Sequence, residues 1–134
     1  KGLTCQIQLD INAQLYAYWD SQRIHQVLQN ICRNAVFYTD SPGQISVRLC
    51  QKNNFVICQI QDSAPAVDIN DINRLFEPLF RSDASRNKNS GGSGLGLAIV
   101  QAIISAHKGK ISAQPSIMGG LLIEFELPIN LSNN

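Results

Sequence analysis

The sequence predicts a two-layer α/β (α+β) sandwich, in which helices cover one face of a mixed, mostly antiparallel sheet. Segments with alternating polar and apolar residues, typical of strands, recur along the 134-residue chain, and segments with helical apolar spacing lie between them. The apolar fraction of 44% is sufficient for one core at this length. We therefore expect a single domain over residues 1–134.

The first part of the chain predicts a strand followed by a long helix. Residues 4–9 alternate between polar and apolar side chains, which predicts a half-buried strand. Asp20 or Ser21 is the predicted N-cap of a helix, because apolar residues then follow at the spacing of one helical face. The turn sequence Asp-Ser-Pro-Gly predicts that this helix ends at about Tyr38.

The rest of the chain predicts four more strands and two more helices. Residues 44–51 and 54–62 form a predicted hairpin that ends at Asp62, and a short helix is expected near residues 71–76. A second long helix is predicted over residues 95–107, ending at a cation followed by glycine, Lys108 and Gly109. Two closing strands surround a turn that contains glycine. Residues 81–93 are nearly devoid of apolar side chains and predict a mobile lid.

The composition excludes several classes of protein. A net charge of +1 lacks the basic surface that nucleic-acid binding requires, so no nucleic-acid partner is expected. Four cysteines occur without a Cys-x-x-Cys pair or a histidine at metal-ligand spacing, and we interpret them as core thiols in a reducing compartment. No run reaches the roughly 20 apolar residues of a membrane span. Because strand pattern begins within the first residues, we expect a domain taken from a longer protein.

A glycine-rich stretch predicts a site for an anion. Gly92, Gly94 and Gly96 form G-x-G-x-G directly before the second long helix. Backbone N–H groups at such a junction bind phosphate, and glycine permits close approach. The motif lacks the G-K-[ST] of a P-loop, and a preceding buried strand is missing for a dinucleotide-binding loop. Close packing of the helix is the alternative explanation for these glycines.

Three polar side chains follow one another along the first helix. Asn30, Asn34 and Tyr38 are spaced by four residues, so they lie on one face beside the apolar stripe. Asparagine is a mediocre helix former, and its amide oxygen is a suitable hard ligand for Mg²⁺. Solvent exposure or local capping would explain the two asparagines equally well.

Asp62 ends a strand of otherwise alternating apolar residues. A carboxylate at this place can accept a hydrogen bond from a ligand donor such as an exocyclic amine. The alternative is that Asp62 caps the loop that follows it.

Four stretches together resemble one known family. QVLQNICRNAVFYTD resembles the N box, IQDSAPAV the first glycine box, LFEPLFR the F box and GGSGLGLAIV the second glycine box of the sensor histidine kinases of two-component systems. The resemblance extends from about Gln22 to Leu127 with the motifs in the family's order. It implies the catalytic and ATP-binding domain of such a kinase, with the Bergerat fold of the GHKL ATPases. The sequences DSAP and RSDASRN resemble the Gram-negative envelope-stress sensors within this family.

The resemblance also implies roles for individual residues. Asn34 resembles the Mg²⁺-coordinating asparagine, with Asn30 one turn earlier beside the phosphates and Tyr38 against the nucleotide. Asp62 resembles the aspartate that binds the adenine amino group. By the same resemblance, two lid arginines reach the terminal phosphate and the second glycine box surrounds the phosphates: Arg81, Arg86, Gly92, Gly94, Leu95 and Gly96.

The first glycine box departs from the family pattern. The usual D-x-G-x-G is replaced by Asp-Ser-Ala-Pro-Ala, so Ala64 and Ala66 stand at the glycine positions that line the cofactor. If either position needs a positive φ angle, alanine is strained there by about 1 kcal/mol or more. Phe37 stands where the family often has a lysine that contacts phosphate.

The resemblance implies an ATP-dependent protein-histidine kinase. It would transfer the γ-phosphoryl group of Mg·ATP to a histidine on a separate dimerisation domain of the same protein, since neither His25 nor His107 lies in a phosphoacceptor context. The implied partners are ATP and ADP, that domain, a response regulator and a second copy in a full-length homodimer. The implied location is the cytoplasmic side of a bacterial inner membrane. Alternatives are a degenerate regulatory module, either a pseudokinase or a phosphatase-biased sensor, and another GHKL ATPase.

Overall fold

The structure, a computed structural model, describes residues 2–11, 17–78, 80 and 96–129. The predicted lid over residues 81–93 lies outside these ranges. The elements follow in this order: β1 (Leu3–Asp10), α1 (Ser21–Tyr38), β2 (Gly43–Lys52), β3 (Phe55–Ser63), α2 (Ile69–Ile72), α3 (Gly96–Ala106), β4 (Lys110–Pro115) and β5 (Gly119–Pro128).

The strands form one mixed sheet of five strands in the order β1-β2-β3-β5-β4. β1 pairs with β2 in parallel, whereas the β2–β3, β3–β5 and β4–β5 pairs are antiparallel. The mixed, mostly antiparallel sheet and the two-layer α/β class predicted from the sequence are thereby confirmed.

The core lies between one face of this sheet and the two long helices. Cys58 and Ile60 of β3 are paired with Phe125 and Ile123 of β5, and because side chains alternate along a strand these four share a face. They join a buried cluster with residues of both helices, among them Val27, Ile31, Val100 and Ile104. The opposite face is largely polar, as the Gln59–Glu124 side-chain hydrogen bond of 2.8 Å illustrates. In the described part of the chain, the two long helices therefore cover one face of the sheet, as predicted.

The prediction that the first strand is half-buried is wrong. β1 is an edge strand, and of its residues only Leu3 packs against the core. Ile7 and Leu9 are 70% and 67% exposed. They share a face with the partly buried Val47 and Leu49 of β2. Alternation in a sequence identifies a strand but does not show whether a helix reaches that strand.

The four cysteines are free, but only Cys58 is fully in the core. Cys32 and Cys50 are half-buried and Cys5 is exposed, so the interpretation of all four as core thiols is wrong for Cys5. Burial raises the pKa of the Cys58 thiol to about 12, with smaller contributions from the thiols of Cys32 and Cys50. The pKa of Cys32 is also raised, first by burial and then by Cys5.

Local capping sets both ends of α1. The carboxylate of Asp20 accepts hydrogen bonds from the backbone N–H groups of Gln22 and Arg23 at 3.1 and 3.2 Å, so Asp20 is the N-cap. The helix ends at Tyr38 as predicted, and the N–H of Thr39 bonds the carbonyl of Ala35 at 3.0 Å.

α3 ends at Ala106, directly before the region of the predicted stop at Lys108 and Gly109. The N–H groups of Lys108 and Gly109 donate to the carbonyls of Ser105 and Ile104, at 2.9 Å each, which is a Schellman motif. Lys108 is the residue in the left-handed region, with φ of 64°. Gly109 has a different role, because a Cβ there would overlap with the carbonyl of Glu126.

The short helix also differs slightly from its prediction. α2 occupies Ile69–Ile72, and the segment predicted as helix over residues 71–76 continues beyond Asn73 as turns. The side chain of Asp68 caps α2 by accepting from the N–H of Asn70 at 2.8 Å. Among the helices described here, none has the length and hydropathy needed to cross a membrane.

Replacing Asp20 by alanine tests the capping of α1. We expect Asp20→Ala to lower the free energy of unfolding by about 1 kcal/mol, since two backbone donors lose their acceptor. Ser21→Ala is the matched control, because Ser21 is the exposed first residue of the helix and changes at such sites are usually within about 0.5 kcal/mol. Urea denaturation of both variants measures the difference, and equal losses would contradict the assignment of Asp20 as the cap.

Candidate functional site

The site is built around a buried carboxylate at the end of β3. Asp62 is 9% exposed and lies on the helix-covered face, two residues beyond Ile60. The pairing of β3 with β5 shifts at this point, because Gln61 pairs with Leu122 whereas Ser63 pairs with Gly119. Two residues of β5, Gly120 and Leu121, therefore stand opposite Asp62 in a β-bulge.

The bulge gives the carboxylate its backbone partner. The N–H of Leu121 donates to Oδ1 of Asp62 at 2.8 Å. A Cβ on Gly120 would overlap with that same oxygen and with the carbonyl of Ser63, so glycine is needed at this position. Sequence reasoning did not single out Gly120 or Leu121. The Gly-Gly pair was visible, but its alignment with Asp62 depends on the strand register.

Burial dominates the electrostatics of Asp62. The loss of solvent raises the pKa of its carboxyl group above the ordinary value, and the hydrogen bond from the Leu121 N–H, together with the nearby Thr39 hydroxyl, lowers it again in part. A carboxylate kept in such a place costs folding free energy when it is ionised. This cost favours a functional role over the alternative of a simple loop cap.

The C-terminal end of α1 forms the wall beside Asp62. Thr39, the residue after the helix, is 5% exposed and was not identified from the sequence. Its hydroxyl lies close enough to affect the Asp62 carboxyl, but Oγ1 has no well-directed hydrogen-bond partner among the residues described. The N–H of Asp40 donates to the carbonyl of Ala64 at 2.9 Å, which joins this end of α1 to the loop after β3.

The predicted polar face of α1 borders the start of α3. The side-chain amide of Asn30 donates to the carbonyl of Gly96 at 3.4 Å, so these two predicted site residues are in contact. Asn34 and Tyr38 are half-buried on the same flank of α1. The Tyr38 ring meets that of Phe37 edge to face, with 4.7 Å between centroids.

The two long helices run antiparallel, and the C-terminal end of α1 extends past the N-terminus of α3. At the far end of α3, Nε2 of His107 accepts from the N–H of Asp20 at 3.1 Å, and Nδ1 lies 2.9 Å from the carbonyl of Ile103. Because the backbone rises about 1.5 Å per residue, Asn34 and Tyr38 extend about 6 and 12 Å past the level of Asn30. His107 therefore has the structural role expected for it, and Asn34 and Tyr38 lie on the side of Asp62.

The alanines of the first glycine box are not strained by their backbone. Among the described residues other than glycine, positive φ angles occur only at Asn53 and Lys108. Ala64 and Ala66 are both exposed, and the carbonyl of Ala64 takes part in the bond to Asp40. Neither alanine has a positive φ angle, so alanine carries no backbone strain of that kind at these two positions.

Part of the predicted site lies outside the described residues: Arg81, Arg86, Gly92, Gly94 and Leu95. Gly96, the first residue of α3, is the described end of the glycine-rich stretch. The described residues contain no cluster of three or more acidic, histidine or cysteine side chains that could hold a metal ion. A metal ion here would take other ligands, such as a side-chain amide oxygen, phosphate oxygens and water.

The close approach of Gly120 to Asp62 leads to a test by alanine substitution. We expect Gly120→Ala to lower the free energy of unfolding by about 1–3 kcal/mol or more, because the new methyl group forces the bulge and the carboxylate apart. Gly96→Ala is the matched control, since a Cβ there has no neighbour within 4 Å among the described atoms. Urea denaturation should show no loss for the control, and an equal loss would contradict the close-approach explanation.

The raised pKa of Asp62 predicts how stability depends on pH. The native state binds this proton more tightly than the unfolded state, so stability contributed by the protonated carboxyl is lost as the pH rises from the unfolded pKa of about 3.9 through the raised native value. We expect the difference in unfolding free energy, wild type minus Asp62→Asn, to decrease across this window and to be constant near neutrality. Urea denaturation at several pH values measures it. A marked loss of stability in Asp62→Asn at neutral pH would contradict this prediction.

Similarity to known proteins agrees with this geometry. The BaeS signal transduction histidine-protein kinase of Escherichia coli K12 is 39% identical over 123 residues, covering 92% of this chain and 26% of BaeS. The nucleotide-free catalytic domain of histidine kinase ThkA superposes with a TM-score of 0.82 at 28% identity, covering 96% of this chain and 80% of that one. ThkA in complex with the response regulator protein TrrA superposes with a TM-score of 0.73 at 27% identity, covering 93% and 34%.

The chain thus spans about a quarter of the length of BaeS. The family described as histidine kinase-, DNA gyrase B- and HSP90-like ATPases matches residues 19–131, which include every predicted site residue. This chain is a member of that ATPase family.

Proposed function

We propose that this chain is the catalytic and ATP-binding domain of a sensor histidine kinase, forming one domain of a longer protein. The observation that carries the proposal is the buried Asp62 carboxylate, held by a bulge beside the unpartnered hydroxyl of Thr39. Burying both groups is unfavourable for folding alone, so their retention fits a polar ligand that bonds them.

Adenine fits the Asp62 end of the site. An ionised carboxylate only accepts hydrogen bonds, and its two oxygens can accept more than the one bond from the Leu121 N–H. An exocyclic amine supplies the missing donor. The keto oxygen of guanine presents an acceptor instead, so Asp62 would favour ATP over GTP. Tyr38 and the loop of Ala64 and Ala66 would border the base.

Asn34 would hold Mg²⁺ through its amide oxygen. The residue is half-buried on the flank of α1 that extends beyond α3, and a single hard oxygen suits a metal that takes its remaining ligands from phosphates and water. When bound, Mg²⁺ neutralises charge on the phosphates. The neighbouring Asn30 would lie beside the phosphates, since its amide contacts the carbonyl of Gly96 at the start of α3.

The phosphates would lie at the start of α3. Backbone N–H groups at a helix N-terminus bind anions, and the stretch Gly92, Gly94, Leu95 and Gly96 precedes or begins this helix. Arg81 and Arg86 would supply guanidinium groups that stabilise charge on the transferring phosphoryl group. Catalysis in this arrangement consists of positioning and charge stabilisation.

The full reaction would need other parts of the parent protein. We propose transfer of the γ-phosphoryl group to a histidine of a dimerisation domain, within a homodimer on the cytoplasmic side of a bacterial inner membrane. A response regulator would then be the downstream partner, in keeping with the name of the ThkA complex. The alternative of a degenerate regulatory module rested on Ala64 and Ala66, and the absence of positive φ at these two positions removes its main support.

Calorimetry of the isolated chain tests the proposal. We expect Mg²⁺-dependent binding of ATP and ADP, with GTP bound at least tenfold more weakly. Asn34→Ala should abolish the Mg²⁺ dependence without loss of fold, because alanine is the better helix former. Gln29→Ala, an exposed position on the same helix, is the control and should bind as the wild type does. A folded wild-type chain that binds neither nucleotide would overturn the proposed function.

A further inference from the structure

Thr39 is a buried polar residue without an assigned task. Its Oγ1 is shielded from solvent and has no hydrogen-bond partner among the described residues. A buried hydroxyl in this condition is unfavourable relative to one with a hydrogen-bond partner. Valine has nearly the same shape and would avoid this cost, so a hydroxyl here calls for a functional explanation.

The side chain of Thr39 is held in place by its surroundings. Its backbone N–H bonds the carbonyl of Ala35, and its methyl group lies against Gly43, where an added Cβ would be only 2.9 Å from Cγ2. A β-branched side chain has few accessible rotamers, so fixing the methyl group also fixes the hydroxyl. The same added Cβ would lie 2.9 Å from Oγ of Ser63, and the N–H of Asp40 bonds the carbonyl of Ala64, so Thr39 is held at the end of β3 that carries Asp62. Its hydroxyl is close enough to influence the Asp62 carboxyl.

We propose that the Thr39 hydroxyl is a second base-recognition group, which donates a hydrogen bond to the ring nitrogen next to the exocyclic amine of adenine. This inference rests on the proposed function. The amino edge of adenine presents one donor, the amine, beside one acceptor, the ring nitrogen. Asp62 supplies an acceptor and Thr39 a donor at adjacent positions, which is the complementary pair.

The same pair discriminates against guanine. Its corresponding edge presents a keto oxygen where adenine has the amine, so an acceptor would face the Asp62 carboxylate. A site built from buried polar groups rejects a ligand that leaves them unpaired. Thr39 therefore contributes affinity for adenine, and Asp62 contributes most of the discrimination.

Substitutions at Thr39 test this role through two independent measurements. We expect Thr39→Val to weaken ADP binding about fivefold to tenfold, the range for one net hydrogen bond. Its unfolding free energy without nucleotide should stay the same or rise, because an unpartnered hydroxyl is removed. Thr39→Ser keeps the hydroxyl and should bind ADP within about threefold of the wild type. Loss of stability in Thr39→Val with no loss of ADP affinity would assign Thr39 to the fold alone and overturn the proposal.

A base analogue separates direct contact from an effect through Asp62. The diphosphate of unsubstituted purine riboside keeps the ring nitrogen but lacks the amine. If Thr39 contacts the base, Thr39→Val weakens binding of this analogue by the same factor as for ADP, whereas Asp62→Asn has little effect on it. If the Thr39→Val effect disappears with the analogue, the direct contact is wrong. Failure of the wild type to bind any nucleotide would instead overturn the proposed function, and this inference with it.

Discussion

The site depends on keeping the Asp62 carboxylate buried. A charge removed from water is unfavourable unless partners replace its hydration, and the fold supplies those partners from elements far apart in the chain. The N–H of Leu121, 59 residues away, is turned towards it by a bulge. Gly120 gives the oxygen room, and the end of α1 closes the other side with Thr39. Any change in the β3–β5 register would leave the carboxylate without this support.

The two long helices are held in register at both ends, which fixes the site relative to the sheet. Asn30 bonds the first residue of α3, and His107 bonds the N-cap residue of α1. Eleven residues of α3 correspond to about 16 Å, which matches the rise of about 15 Å over the ten steps from Asp20 to Asn30. The last two turns of α1 extend past the level of the Asn30–Gly96 contact, and they carry Asn34, Tyr38 and the approach to Thr39.

Much of the fold could be predicted from the sequence because its determinants are local. The bounds of α1 follow from an N-cap and a turn, and the strands follow from alternation. Asp62 and Asn30 stood out because each is polar at the border of an apolar pattern. Gly120, Leu121 and Thr39 could not be found in this way, since their importance depends on which strand residue lies opposite Asp62. The exposure of β1 was missed for the same reason, because burial is decided by what covers a strand.

The placement of the proposed ligands on one helix has a mechanical consequence. Asn34 and Thr39 are five residues apart, about 7.5 Å along the backbone if helical rise continues to the cap. In the proposed complex, Thr39 and Asn34 would thus hold the base and the metal from the same helix, while Asp62 holds the base from β3. A nucleotide bound at one end of this helix would be oriented relative to the other end, and its phosphates would be directed to the start of α3. The cost of burying Asp62 is then offset at the step where positioning matters, when the base is bound.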